Sequence, residues 1–117
     1  MEDGDTKKDA DYIADKVSGL RIFDDSEGVM NLSVSDIGGG ILSISQFTLL
    51  ADARKGKRPS YSKAARPEAA KELYDYFNTK IEEKGITVGK GIFQAEMLVK
   101  IYNDGPVTIL LDSKKTF

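Results

Sequence analysis

A chain of 117 residues that is 40% apolar and 31% charged has the material for one folded domain and is too hydrophobic for a disordered tail. Its net charge of −2 gives it no general pull on polyanions, and no apolar run approaches the roughly 20 residues of a membrane span. Histidine and cysteine are both absent, which excludes Ser-His-Asp and Cys-His relays, disulfides, and zinc sites built from thiolate and imidazole.

Catalysis, if there is any, falls to hydroxyls, carboxylates, lysines, backbone amides or the substrate itself. No metal and no organic cofactor is expected. A cysteine-free chain without a basic start followed by an apolar stretch fits a reducing compartment, and the cytoplasm is the expected location.

The spacing predicts a first helix over 5–19. Asp5 or Thr6 can cap it, Ala10, Ile13, Val17 and Leu20 recur at helical period, and Gly19 marks the stop. A short extended piece, Leu20 to Phe23, precedes a turn over 24–28, and Val29 to Val34 reads as a second strand. After Gly38-Gly39-Gly40, Ile41 to Leu50 reads as a central strand with apolar residues on both faces.

From Arg54 to Arg66 the chain carries Arg54, Lys55, Lys57, Arg58, Lys63 and Arg66 with no acid between them. Such a run is either a solvated loop or a phosphate-contacting patch. Residues 67–84 make the strongest helix, with Pro67 at its first position, a stripe of Ala70, Leu73, Tyr74, Phe77 and Ile81, and Gly85 to end it. The stripe reads as core. Ile86 to Val88 is a short extended segment. Met97 to Tyr102 and Val107 to Leu111 alternate with period two, and the short turn between them predicts an antiparallel hairpin. The pattern as a whole is one α+β domain over 1–117.

Two constellations could carry chemistry. Ser45-Gln46-Phe47-Thr48-Leu49 puts two hydroxyls, an amide and an aromatic ring in one strand; this is material for an oxyanion hole, or simply for satisfied core groups. A lone Ser or Thr without a neighbouring base is a poor nucleophile. Asn103-Asp104-Gly105-Pro106-Val107-Thr108 is either a plain hairpin turn or a rigid carbonyl gate, since X-Pro bonds alone have substantial cis occupancy.

Taken together, these residues resemble the D-aminoacyl-tRNA deacylases. Ser45 to Leu49 is similar to that family's SQxTL motif and Asn103 to Thr108 to its NDGPVT motif, while LLADARKGKRPSY between them resembles its L-x-A-D-x-x-x-G-x-R-P-S-F. The likeness runs from Gly4 to Ser113. It implies a mostly antiparallel, barrel-like sheet with two helices, a homodimer, and hydrolysis of the ester between a D-amino acid, or glycine, and tRNA as chiral proofreading. It further implies that Ser45, Gln46 and Thr48 belong to the catalytic motif, Thr48 occupying a position once proposed as a nucleophile. The more widely favoured scheme relies on the tRNA's own terminal 2′-hydroxyl.

Phe47, Ala95, Met97, Gly105, Pro106 and Thr108 are expected to bind substrate, with a cis Gly105-Pro106 reaching into the partner's pocket. Arg54, Lys55, Lys57 and Arg58 are the expected tRNA phosphate patch. The sequence departs from the family in three ways: it starts after the strands with which members normally begin, Tyr61 stands where Phe is usual, and Gln94 stands where Gly is usual. The basic run from Arg54 to Arg66 makes a non-catalytic RNA-binding module one competing expectation, and the first departure makes an inactive remnant the other.

Overall fold

The computed structural model describes residues 1–117. Helix α1 spans Lys7–Gly19, and the Asp9 carboxylate accepts a hydrogen bond from the Thr6 N–H at 2.8 Å, closing the start of the helix. Its buried residues are Ala10, Ala14 and Ser18, flanked by half-buried Ile13 and Val17. The inward stripe is therefore rotated towards the small residues, and small side chains let α1 lie close against α2, which spans Pro67–Glu83. Polar ties reinforce the crossing: the Tyr76 hydroxyl donates to Asp11 at 2.8 Å and Lys84 pairs with Asp15 at 3.3 Å.

Strands β1 (Phe23–Asp24) and β2 (Met30–Leu32) form a two-stranded antiparallel sheet. The Asp25 carboxylate holds their turn by accepting from the N–H groups of Glu27 and Val29 at 2.9 and 3.1 Å. A second sheet pairs β3 (Gly40–Ser43) with β4 (Thr87–Lys90) in parallel register. The core lies between these sheets and the helices: Ala14, Val34, Ile81 and Ile86 are buried, with Phe23, Ile41, Phe77 and Val88 packed against them. Two helices with small sheets are the α+β architecture the sequence predicts.

Two expectations need correction. The strand expected over 41–50 ends at Ser43; β3 has one neighbour, Leu42 is 62% exposed, and Phe47–Leu50 is a 3-10 turn. Ladder pairing stops where β4 stops, so nothing holds residues 44–50 extended. The hairpin expected over 97–111 is also not formed: both arms are without ladder bonds, and Leu98, Ile101 and Tyr102 are 86%, 74% and 91% exposed. Alternation only specifies which face a strand would bury, and it needs a paired neighbour to become a strand.

Asn78 is anomalous. It is 1% exposed in the middle of α2, and neither its side-chain nitrogen nor its oxygen has a hydrogen-bond partner. A buried unpaired amide costs about 1–3 kcal/mol. Asn78→Leu matches the branching of the amide without its polarity, and should raise the unfolding free energy by about 1–2 kcal/mol in urea melts. An unchanged or lower midpoint would mean that the amide is satisfied.

Candidate active-site cleft

The residues after β3 build one wall of a cleft of about 570 Å³. Ser45, Gln46 and Phe47 line it; the start of α2, the Tyr61 ring, Met1 and the residues Phe93, Gln94, Ala95 and Met97 complete it. Three contacts set this geometry. The Tyr74 hydroxyl, on α2, donates to the Ser43 carbonyl at 2.8 Å and lies 3.4 Å from that of Gly91, tying the ends of β3 and β4 to the helix. The Gly91 N–H returns a bond to the Ser43 carbonyl at 3.0 Å. A Cβ on Gly91 would sit 2.9 Å from the Met97 sulfur and 3.0 Å from Ile44 Cδ1, so glycine lets those two side chains close over the strand end, and any larger residue would push them aside.

Phe47 meets the Tyr61 ring edge-on at 5.2 Å between centroids, which fixes one side of the cleft. Phe93 lies 6.1 Å from Tyr74 and fixes the other. Because residues 44–46 stand outside any ladder, the N–H groups of Ser45 and Gln46 donate to no protein acceptor. Both residues border the cleft, so two backbone donors left unpaired by the chain belong to its wall. Gln94 adopts φ +61°, a left-handed conformation that glycine takes without cost and glutamine does not, so the departure noticed in the sequence falls on a strained residue of the cleft wall.

Of the residues expected to act, Ser45, Gln46, Phe47, Ala95 and Met97 are brought together here. Thr48 is not. Its hydroxyl accepts a 2.5 Å bond from Gln46 Nε2, and it contributes nothing to the cleft wall. Gly105 and Pro106, joined by a cis peptide bond, line a separate cleft of about 420 Å³ against Ile22, Phe23, Asp24 and Met30, while Thr108 borders neither. Within one chain, then, the two sequence motifs do not share a cavity.

The basic loop is closed at its base by mutual backbone bonds between Asp52 and Ser60, at 2.8 and 2.9 Å. Arg54 folds back on this base. Its Nε and Nη2 donate to the two Asp52 carboxylate oxygens at 2.9 and 2.6 Å. Hydrogen bonding from the Arg54 side chain, then from its backbone N–H, holds the Asp52 carboxyl well below the ordinary carboxylate range. Since this pKa is depressed in the folded chain, the closed loop has the full gain above the ordinary carboxylate range and loses it progressively as pH falls from there through the lowered value. Arg54 is thus a structural member of the loop, whereas Lys55, Lys57 and Arg58 are exposed and unpaired.

Sequence reasoning missed Met1, Tyr61, Arg66 and Phe93 as parts of the wall. Tyr61 and Arg66 sit at the end of the basic run and could have been found as the residues that join it to α2.

The profile of the family described as D-Tyr-tRNA(Tyr) deacylase matches residues 1–112. The D-aminoacyl-tRNA deacylase of Koribacter versatilis is 60% identical over 113 residues, covering 97% of this chain and 76% of that protein. That of Clostridioides difficile is 58% identical, with the same coverage. A solved structure titled c-Myc DNA Unwinding Element Binding Protein superposes with a TM-score of 0.85 at 35% identity, covering 93% of this chain and 74% of its own. A match over nearly the entire chain, at such identity, places it without ambiguity: the chain belongs to the D-Tyr-tRNA(Tyr) deacylase family.

Proposed function

We propose that this chain hydrolyses the ester between a D-amino acid, or glycine, and the 3′ end of tRNA, acting in the cytoplasm as a homodimer. The observation that carries this reading is that Ser45 and Gln46, whose backbone N–H groups have no acceptor in the chain, both line a largely apolar cleft. An ester carbonyl seated there gains charge on its oxygen as water adds, and preset amide donors stabilise that charge without reorganising. Water forms the new C–O bond, the bond to the ribose 3′-oxygen breaks, and the water proton passes to that leaving oxygen. Without histidine or cysteine, the nearest group able to relay this proton is the substrate's neighbouring 2′-hydroxyl.

Stereochemical choice then falls to shape. The Gly105-Pro106 turn is the gate in this reading, and because it lines a different cleft of its own chain, it acts on the cleft of a second copy. The exposed Leu98, Ile101, Tyr102 and Leu110 around it supply apolar area for that association. Lys55, Lys57 and Arg58 provide the cations for the tRNA backbone.

The test compares D-tyrosyl-tRNA with L-tyrosyl-tRNA. The D-ester is expected to be cleaved at least about 100-fold faster, a difference of about 2.7 kcal/mol in barrier. Equal rates, or two intact esters, would end the proposal. The second reading, nucleic-acid binding without hydrolysis, rests on the exposed cations of the basic loop and predicts salt-sensitive binding of uncharged tRNA with no release.

A further inference from the structure

The structure sorts the cations of the basic run, and one of them is left facing the chemistry. Arg54 is spent on Asp52, and Lys55, Lys57, Arg58 and Lys63 are exposed and line no part of the cleft. Arg66 instead lines the cleft that Ser45, Gln46 and Phe47 border. Its side chain makes no hydrogen bond or ion pair, and no Asp or Glu lines that cleft. Tyr61, whose hydroxyl is likewise without a partner, lines the same cavity with its ring fixed on Phe47.

The backbone that presents the arginine is fixed. Arg66 precedes Pro67, which favours the extended conformation it adopts (φ −60°, ψ 150°), and its carbonyl accepts from the Ala70 N–H at 2.9 Å. Just before it, Ala64 bridges to Glu2, and the Ala65 N–H donates to the Met1 carbonyl at 3.1 Å. An unpaired guanidinium anchored by a fixed backbone at the wall of a mainly apolar cleft, with no carboxylate lining it to balance the charge, favours an anionic ligand; its fork favours one with paired oxygens.

We infer that Arg66, aided by the Tyr61 hydroxyl, is a substrate-positioning residue that grips an anionic group of the charged tRNA end. The inference rests on the deacylase reading for the identity of the ligand. Its chemistry is that of paired anionic oxygens, which the substrate offers either as the phosphate of the terminal nucleotide or as the side-chain carboxylate of an acidic D-residue.

Calorimetric binding to the full chain separates these sources with three non-hydrolysable 3′-amide analogues: D-alanyl-adenosine, the same compound with a 5′-phosphate, and D-aspartyl-adenosine. The phosphate is expected to tighten wild-type binding about tenfold, and Arg66→Gln to reduce that gain to less than about twofold. Tyr61→Phe should remove about threefold of it, and Arg66→Lys should keep part through its charge. If tightening follows the aspartyl carboxylate instead, the same site reads the amino acid. The gain from the anion is a difference between two ligands on one protein, so a merely structural role for Arg66 would not alter it. An anion gain as large in Arg66→Gln as in wild type overturns the inference and leaves the deacylase reading intact. Wild-type protein that binds none of the three overturns both.

Discussion

Ile81→Ala is expected to lower the unfolding free energy by about 3–4 kcal/mol, because the side chain is fully buried and its removal adds a cavity to the loss of transfer energy. Ile81 is 0% exposed and belongs to the cluster with Ala14, Val34 and Ile86, where α2 meets α1 and the strand ends. The consequence is large because the core is small. Only 10 of 117 residues are buried, so the total stability belongs near the low end of the usual 5–15 kcal/mol, and one cavity takes much of it. The thermal midpoint should fall by about 15 °C. Leu98→Ala is the control: at 86% exposure it should move the stability of the single chain by less than about 0.5 kcal/mol. A loss below about 1 kcal/mol for Ile81→Ala would mean that the helices do not pack through this residue.

The two helices were legible because everything that makes them is local. Thr6 with Asp9 begins α1, Pro67 begins α2, and Gly85, at φ +80°, lets the chain leave α2. The Leu73, Tyr74 and Ile81 stripe is buried as its spacing requires. What sequence could not give was pairing. Residues 97–102 alternate as a strand should, yet a period of two says nothing about whether a partner is there to complete the ladder. The cleft was half legible for a similar reason. Ser45 to Phe47 could be recognised as a motif, while Tyr61, Arg66 and Phe93 reach the same cavity only through the fold, from points far along the chain. Thr48 shows the opposite error: membership in a motif does not put a side chain in the cavity, and here its hydroxyl holds Gln46 instead.

That placement of Thr48 leads to the second large effect, which lies in the substrate and not in the protein. A D-aminoacyl-tRNA whose terminal adenosine lacks its 2′-hydroxyl should be cleaved about 10²- to 10⁴-fold more slowly, the usual worth of one positioned proton relay. Thr48→Ala, with its hydroxyl outside the cleft wall, should cost less than about tenfold, through a looser Gln46. Ser45→Ala should be similarly mild, since the proposed mechanism uses the unpaired Ser45 backbone N–H, which the substitution preserves, and not the hydroxyl. The two outcomes differ because an aminoacyl ester is already activated, and the remaining barrier is one of positioning and proton transfer. Single-turnover rates on the two tRNAs decide the matter. If the 2′-deoxy ester is cleaved as fast as the natural one, or if a folded Thr48→Ala protein is inactive, the relay belongs to the chain after all, and a side chain must be found that reaches the ester.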